Sequence, residues 1–337
     1  MRDIKAPAAC RRHFWHQFLR CSLILFAIGV GSPASAQNYP SRQISLIVPY
    51  ASGGVLDLVA RLMAEGMREK YGQPVVVLNR AGGNGNIGTA EAVRAEANGY
   101  TLYLNNDGGL AIHAAVDPQF KFDAVADFVP IAMPAEYSHL FIVHKDVPAS
   151  SVQEFVAYAK ANSGKLSYGS PATGSLGHLA TEMFAQHTGI KMTHVAYRGA
   201  APALNDLVAG TLAMNIQSIP SARGQYESDR LKILAVFSDK RLSELPKVPT
   251  MAEAGFPGFV IKSWLGVFGP RGLPDPIRDQ LSTVMSEIVK SPAAEAQLRR
   301  VGFEPVGMTA ADFSRFYVGE LQRWQKIATE TGLKGVH

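Results

Sequence analysis

Residues 43–61, QISLIVPYASGGVLDLVAR, decide the fold and the first candidate site. The stretch begins with the apolar run Ile44–Val48, whose length and β-branched content are typical of a buried strand. Pro49 cannot donate a ladder hydrogen bond, so the strand is expected to end there. Apolar residues then recur at the spacing of one helix face: Leu56, Val59, Ala60 and Met63. The stretch therefore predicts a strand, a loop and a helix in succession.

The loop of this unit, residues 50–54, has the features of an anion site. The first N–H groups of a helix have no partner within the helix, and the helix dipole places positive charge beside them. Gly53 and Gly54 have no Cβ, so a ligand can approach the backbone closely. The loop therefore favours a carboxylate or a phosphate. The alternative is a plain turn between strand and helix that binds nothing.

The first 36 residues have the pattern of a secretory signal peptide. Five basic residues precede an uncharged apolar run at 21–30, and Ala34-Ser35-Ala36 is a cleavage site of the A-x-A type. A retained membrane anchor is the alternative, but the run is short for a bilayer. We therefore expect a soluble, exported protein cleaved after Ala36.

Removal of this leader changes the composition of the chain. Both cysteines, Cys10 and Cys21, leave with it, so neither disulfides nor thiol chemistry are expected in the mature protein. The leader also carries five of the 33 basic and one of the 28 acidic side chains, which leaves a net charge of about +1. The sequence pI of 9.1 is thus inflated by the leader. Nucleic-acid binding loses its main support, and we expect none.

Strands and helices alternate along the rest of the chain. A second strand is predicted at 74–79, a helix at 89–97 and a third strand at 100–104. Such alternation indicates an α/β fold with doubly wound, mainly parallel sheets.

A glycine-rich segment at 83–88 matches G-x-G-x-x-G between a strand and a helix, with Asp107 about twenty residues further on. Dinucleotide-binding domains usually carry this fingerprint on their first strand, whereas here it follows the second. We therefore favour a structural turn. A dinucleotide-dependent oxidoreductase is kept as an alternative.

Two further loops are candidates for the same cleft. The third strand ends in polar Asn105-Asn106-Asp107, and ligands of open α/β sheets lie beyond the carboxyl ends of strands. The segment 169–177, rich in Gly, Ser and Thr, follows a strand and precedes a helix, as the first loop does. Two such loops predict two α/β lobes with a cleft between them; two unrelated surface loops are the alternative.

Sequence motifs of enzymes are scarce. Residues 174–177, Gly-Ser-Leu-Gly, miss the G-x-S-x-G elbow by one residue, and the histidines show no metal-binding spacing. We expect no catalytic residue, no metal and no cofactor.

Several blocks of the chain together resemble the Bug-type solute-binding receptors of tripartite tricarboxylate transporters. They are YPSRQISLIVPYASGGVLDLVAR, GQPVVVLNRAGGNGNIG, SYGSPATGSLGHLATEMF and KSWLGVFGPRGLP, and the resemblance covers residues 39 to about 332.

The resemblance implies a two-lobed periplasmic binding protein of the type II-like, Venus-flytrap kind. Lobe 1 is then expected to comprise residues 38–137 plus 265–337, and lobe 2 residues 138–264. It further implies a periplasmic monomer that captures a small organic acid for the membrane subunits of a tripartite transporter. The alternative is an exported sensor that presents the acid to a signalling partner.

The resemblance also implies the site residues. In the family, two loops hold a ligand carboxylate, largely through backbone N–H groups. The matching positions here are Tyr50, Ala51, Ser52, Gly53, Gly54, Asp57, Ser170, Ala172, Thr173, Gly174 and Ser175. Asp57 is expected to cap its helix, or to face an ordered water or a ligand donor.

The chain departs from the family pattern at positions that we expect to set ligand identity. These positions are Asn105, Asp107, His113, Gln217 and Ser218. All of them except His113 are also predicted to bind the ligand. Asp107 is either a surface aspartate or the partner of an amine or hydroxyl of the ligand. The choice among dicarboxylates, tricarboxylates, amino acids and aromatic acids stays open.

Overall fold

The computed structural model describes residues 39–226, 230–242, 244–332 and 335. Residues 42–337 form one compact unit, and all elements described below lie in it. Residues 1–41 form a separate unit, of which only 39–41 are described, so the predicted signal peptide and its cleavage site lie outside the described residues. Among the described helices, none is both long and apolar enough to cross a membrane.

The strands alternate with helices along the chain, as the sequence predicts. The strands within the described residues are β1 (Ile44–Val48), β2 (Val75–Asn79), β3 (Thr101–Asn106), β4 (Phe128–His144), β5 (Ser167–Ser170), β6 (Thr193–Ala196), β7 (Met214–Ser218), β8 (Leu231–Val236), β9 (Lys262–Pro270) and β10 (Glu304–Met308).

The α-helices within the described residues are α1 (Val55–Tyr71), α2 (Asn86–Val93), α3 (His113–Val116), α4 (Val152–Ala161), α5 (Leu176–Thr188), α6 (Ala200–Val208), α7 (Ile219–Tyr226), α8 (Asp275–Val289), α9 (Pro292–Arg300) and α10 (Ala310–Glu330). A short 3-10 turn at Gly83–Gly85 precedes α2, and a π-helical turn at Gly108–Ile112 precedes α3.

The strands form one curled mixed sheet. Its order is β2-β1-β3-β9-β4-β7-β5-β6, and both β8 and β10 pair with β4. Strand β1 pairs in parallel with β2 and β3, and β5 pairs in parallel with β6 and β7. Every antiparallel pair involves β4 or β9. The predicted α/β class with doubly wound parallel strands is confirmed, and two antiparallel strands join its parallel flanks.

Strand β4 connects the two flanks of the sheet. Its first part pairs with β9 as far as Ser138, and from His139 onward it pairs with β7 and β8. Pro130 and Pro134 lie within it, although proline cannot donate to a ladder and is rare in central strands. Both prolines are accommodated where the register between β4 and β9 shifts.

The first strand–loop–helix unit forms as predicted. Strand β1 ends before Pro49, and the predicted apolar face of α1 is buried, as is Met67 one turn further. The helix ends at Gly72, whose left-handed backbone donates its N–H to the carbonyl of Arg68. The helix therefore has a fixed position behind the loop at 50–54.

The glycine-rich segment packs against the end of β1. Gly85 has φ +91°, and a Cβ on Gly88 would lie 2.8 Å from the Cα of Pro49. The helix predicted over 89–97 begins earlier, at Asn86, and ends at Val93. The segment thus forms a tight turn that sets α2 against the strand.

Aromatic rings fix the position of β9. Trp264 packs edge-to-face against Tyr317 of α10, with ring centroids 5.6 Å apart, and also contacts Phe313. Because side chains alternate along a strand, its neighbour Ser263 points to the opposite side. That side is the cleft described next.

Candidate functional site: a cleft at the strand ends

A cleft of about 900 Å³ opens at the carboxyl ends of several strands. The segments that line it come from both flanks of the sheet: 49–51, 54–57, 81–86, 106–108, 171–177, 197–200 and 216–218. This is where ligands of open α/β sheets bind. The loops that the sequence singled out after β1, β3 and β5 therefore share one cleft.

Most of the predicted site residues line this cleft. They are Tyr50, Ala51, Gly54, Asp57, Asp107, Ala172, Thr173, Gly174, Ser175, Gln217 and Ser218.

Four other predicted site residues lie outside the cleft. Ser52 and Gly53 are exposed to solvent at the outside of the first loop. Asn105 is buried, where its amide donates to the hydroxyl of Tyr103 at 2.6 Å. The hydroxyl of Ser170 donates to the carbonyl of Ala172, so it shapes the second loop from behind.

The N-terminus of α1 points into the cleft without a side-chain cap. Its N-cap residue is Gly54, which has extended backbone and offers no oxygen to the first-turn N–H groups. Val55 and Leu56 of that first turn also line the cleft. Free first-turn donors with the helix dipole behind them attract an anion. This geometry suits a carboxylate.

Asp57 holds the first loop in place. Its Oδ2 accepts the N–H of Gly53 at 2.8 Å, and Arg61 binds both carboxylate oxygens, with Nε 2.9 Å from Oδ2 and Nη2 3.1 Å from Oδ1. Burial alone would raise the pKa of Asp57, but the hydrogen bonds from Arg61, Gly53 and Asn79 outweigh it and lower that pKa. Asp57 is thus ionised and holds the loop through the N–H of Gly53; it does not cap α1, whose first turn has no side-chain cap.

His178 fixes the position of the second loop, residues 169–177. The hydroxyl of Ser175 caps α5 by accepting the N–H of His178 at 3.4 Å, and the N–H of Gly174 donates to Nδ1 of His178 at 3.0 Å. His178 stacks on His194 with ring centroids 3.8 Å apart. Burial, and then the neighbouring ring, lowers the pKa of His178 to about 4. The ring is therefore neutral near pH 7, as an accepting Nδ1 requires.

The inner wall of the cleft carries the buried carboxylate of Asp107. The hydroxyl of Ser263 donates to its Oδ2 at 2.9 Å. Burial raises the pKa of Asp107 to about 7, although the bonds from Ser263 and the Gly108 N–H act in the opposite direction. Burial, and to a lesser extent the charge of Asp107, raises the pKa of Tyr50 to about 12. Asp107 is therefore an inner-wall residue, not the surface aspartate of the alternative.

Several lining residues were not singled out from the sequence. Tyr137 and His139 come from β4 and Ser263 from β9, and Arg198 and Gly199 come from the turn before α6. Gly199 is the N-cap of α6 and, like Gly54, provides no side-chain cap. A sequence pattern could have found this turn, because Tyr197-Arg198-Gly199 again stands between a strand and a helix.

Two further groups of polar residues in the cleft have partners within the protein. Nε2 of His113 lies 2.9 Å from the carboxylate of Asp117, and the imidazole packs on Phe120. The hydroxyls of Ser218 and Ser221 are hydrogen-bonded at 2.8 Å. Within the described residues, no group of three or more His, Cys, Asp or Glu is arranged to hold a metal ion.

Residues 59–333 match the family described as "Tripartite tricarboxylate transporter family receptor" (TctC). The chain belongs to this family. Protein BugT of Bordetella pertussis is 34% identical over 313 residues, which are 93% of this chain and 96% of that protein. The predicted resemblance is confirmed. Because the family is one of receptors, the alternative of an oxidoreductase gains no support.

Solved structures agree with this assignment. The structure of R. palustris Rpa4515 with adipate is 37% identical and has a TM-score of 0.82, covering 89% of this chain and all of that one. The structure of periplasmic binding protein BugD is 29% identical with a TM-score of 0.78, covering 88% of this chain and all of that one. The chain therefore has the fold of periplasmic binding proteins.

Proposed function

We propose that this protein is a periplasmic receptor that captures a small organic acid and delivers it to the membrane subunits of a tripartite transporter. The observation that carries the proposal is the uncapped N-terminus of α1 opening into the cleft. The adipate in the structure of Rpa4515, a small dicarboxylic acid in a related protein, supports a ligand of this class.

The helix end supplies only part of the binding free energy. A carboxylate at a helix N-terminus gains roughly 0.3–1 kcal/mol when exposed and up to about 2 kcal/mol when partly buried. Micromolar affinity corresponds to about 8 kcal/mol. Charge-assisted hydrogen bonds from the second loop, from the N-terminus of α6 and from Arg198 must supply much of the difference. A receptor that encloses its ligand between these segments meets this requirement.

The substitution Gly54→Asp tests whether the ligand carboxylate binds at the N-terminus of α1. Gly54 has φ −79°, and a Cβ there would have only an ordinary contact, 3.5 Å from the carbonyl oxygen of Ala51. Aspartate is a good N-cap residue, so the variant should fold and keep its melting temperature. The carboxylate of the introduced aspartate would occupy the proposed binding position and repel the ligand.

The measurement is calorimetric titration of dicarboxylates, tricarboxylates, amino acids and aromatic acids into the wild type and two variants. We expect at least one acid to bind the wild type, Gly54→Asp to bind it at least about 100-fold more weakly, and the uncharged control Gly54→Ala to change the affinity far less. Equal affinities of wild type and Gly54→Asp for that acid would place the site elsewhere.

The role in transport needs a test in cells. Deletion of the gene should abolish uptake of the acid that the purified protein binds, and the variant Gly54→Asp should fail to restore it. Normal uptake in the deletion strain, together with loss of a transcriptional response to the acid, would favour the sensor alternative. The expected monomeric state is tested separately by light scattering of the purified protein.

A further inference from the structure

The inner wall of the cleft presents a buried carboxylate without a cationic partner. Asp107 is only 1% exposed, and it receives a hydrogen bond from Ser263. Within the described part of the chain, no Lys, Arg or His nitrogen lies within 4 Å of its carboxylate, whereas Asp57 and Asp117 in the same cleft each have such a partner. An unpaired buried carboxylate is costly to maintain. Asp107 therefore has the properties of a group whose partner arrives with the ligand.

A second unpartnered acceptor lines the same wall. His139 is 5% exposed, and its Nδ1 has no hydrogen-bond partner within the described residues. The imidazole has a backbone hydrogen-bond partner at Ile261. Because Nδ1 is unpartnered, we assign this bond to Nε2, which makes Nε2 the N–H donor. Burial lowers the pKa of His139 to about 4, so the ring is neutral and Nδ1 is an acceptor.

Tyr137 connects the two acceptors. It lies two residues before His139 on β4, so both side chains are on the same face of the strand, and their ring centroids are 5.5 Å apart. Tyr137 pairs across the sheet with Ser263, the residue that bonds Asp107. The charge of Asp107 also contributes to raising the pKa of Tyr137. The carboxylate, the phenol and the imidazole thus form one wall. The phenol oxygen accepts a hydrogen bond from the amide of Asn106 at 3.4 Å, whereas the carboxylate lacks a cationic partner and Nδ1 of His139 lacks a donor.

We propose that Asp107 and His139 bind a protonated amine, so that the ligand is a carboxylic acid that also carries an ammonium group. An ammonium group has three donors and a positive charge, which this wall can accept through the carboxylate, Nδ1 and a phenol oxygen. A plain dicarboxylate would instead bring a second anion close to Asp107. The inference rests on the proposed function, because it assumes that the carboxylate of the ligand binds at α1.

The groups around Asp107 determine how ligand binding at this carboxylate responds to pH. The phenols of Tyr50 and Tyr137 face it, while Glu320 on α10 raises and Arg323 on α10 lowers its pKa. With a pKa of about 7, Asp107 is part protonated in the free protein at pH 6. An ammonium group favours the ionised form, so its binding should release protons and tighten between pH 6 and pH 8. A dicarboxylate would favour the protonated form and weaken over the same range.

Matched acids test the inference in the purified protein. The dicarboxylates succinate, glutarate and adipate are compared with 3-aminopropanoate, 4-aminobutyrate and 5-aminopentanoate, and with aspartate, glutamate and 2-aminoadipate. Each is titrated calorimetrically into the wild type, Asp107→Asn and the control Asp146→Asn. The amide oxygen introduced by Asp107→Asn would still accept the bond from Ser263, and Asp146 is a solvent-exposed residue outside the cleft.

We expect an ammonium-bearing acid to bind the wild type at least about tenfold more tightly than its dicarboxylate counterpart. Asp107→Asn should remove this preference, and Asp146→Asn should retain it. Tighter binding of the dicarboxylates by the wild type, or an amine preference that persists in Asp107→Asn, would overturn the inference while leaving the proposed function intact. If acids of neither kind bind the wild type, the inference fails; the proposed function fails as well only if tricarboxylates and aromatic acids also do not bind.

The wild type alone gives an independent readout, should Asp107→Asn not fold. Titrations at pH 6 and pH 8, in buffers with different ionisation enthalpies, measure the protons exchanged on binding. Proton release with an ammonium-bearing acid is the expected result. Proton uptake, with affinity that falls as pH rises, would contradict a role for Asp107 as the acceptor of an amine.

Discussion

The Asp57 side chain shapes the loop of the proposed anion site through bonds within the protein. Its carboxylate bonds the N–H of Gly53 and is neutralised by Arg61, so the loop is fixed and the charge is cancelled. The first-turn N–H groups beyond it stay available to the ligand. Because the charge of Asp57 is already paired with Arg61, it is compatible with a carboxylate at the proposed position nearby.

Asp57→Asn should destabilise the protein in a pH-dependent way. Losing charge-assisted bonds from Gly53 and Arg61 is expected to lower the free energy of unfolding at pH 7 by about 1–3 kcal/mol. The pKa of Asp57 is lower in the folded protein than the unfolded value of about 4. The stabilisation is therefore complete above pH 4 and is lost as pH falls through the folded pKa.

Urea denaturation of wild type and Asp57→Asn at pH 7 and pH 3 measures this effect. The difference between the two proteins should shrink at pH 3, and a difference that is constant over this range would contradict the assignment. Arg61→Ala serves as the comparison. It should cost less than Asp57→Asn, because Arg61 is 57% exposed and Asp57 keeps its backbone bond.

The residues of the cleft differ in how far the sequence reveals them. Tyr50, Gly54 and Thr173 lie in loops between a strand and a helix, which local patterns locate. Tyr137 and Ser263 lie inside strands, and Ser263 is 156 positions from the Asp107 that it bonds. Contacts of this range depend on strand pairing, so no local pattern predicts them. The same holds for the burial of Asp107, which a polar segment at a strand end does not indicate.

At the scale of elements, helices with a clear apolar face were predicted closely, and elements with internal breakers were missed. The apolar spacing predicts helices near 277–289, 293–301 and 310–331, and helices α8, α9 and α10 begin and end within two residues of these positions. Strand β10 was not predicted, because EPVGM contains a proline and a glycine, and helix α7 contains Pro220 and Gly224. Tertiary pairing to β4 and packing against the sheet override these local preferences.

Two serine caps provide a matched test of elements near and far from the cleft. Ser151 caps α4 by accepting the N–H of Glu154 at 3.1 Å, and Ser175 caps α5 at the cleft. Ser151→Ala and Ser175→Ala should each lower the free energy of unfolding by about 1 kcal/mol.

Only Ser175→Ala should also weaken acid binding, because Ser175 lines the cleft and positions the second loop. Thermal denaturation and calorimetry of both variants separate the two effects. Equal affinities for the acid in both variants would show that the second loop does not contribute to the site.

At the scale of the whole molecule, the changeover of pairing along β4 supports the proposed division into two lobes. Pairing with β9 ends at Ser138, and pairing with β7 begins at His139. This is where the boundary between residues 38–137 plus 265–337 and residues 138–264 is proposed. Strands β4 and β9 would then act as the hinge of a rigid-body closure.

Small-angle X-ray scattering measures this closure. The radius of gyration should decrease when the purified protein is saturated with the acid identified by calorimetry. A matched measurement on Gly54→Asp at the same acid concentration should show no decrease. An identical profile for free and saturated wild type would contradict closure about β4 and β9.

A crystal structure of the protein with its acid would show directly where the ligand carboxylate binds. We predict a carboxylate that accepts hydrogen bonds from the first-turn N–H groups of α1, beside Gly54 and across from residues 173–175, at about 2.7–3.2 Å. An acid that binds with its carboxylate outside this position, or in another part of the protein, would contradict it.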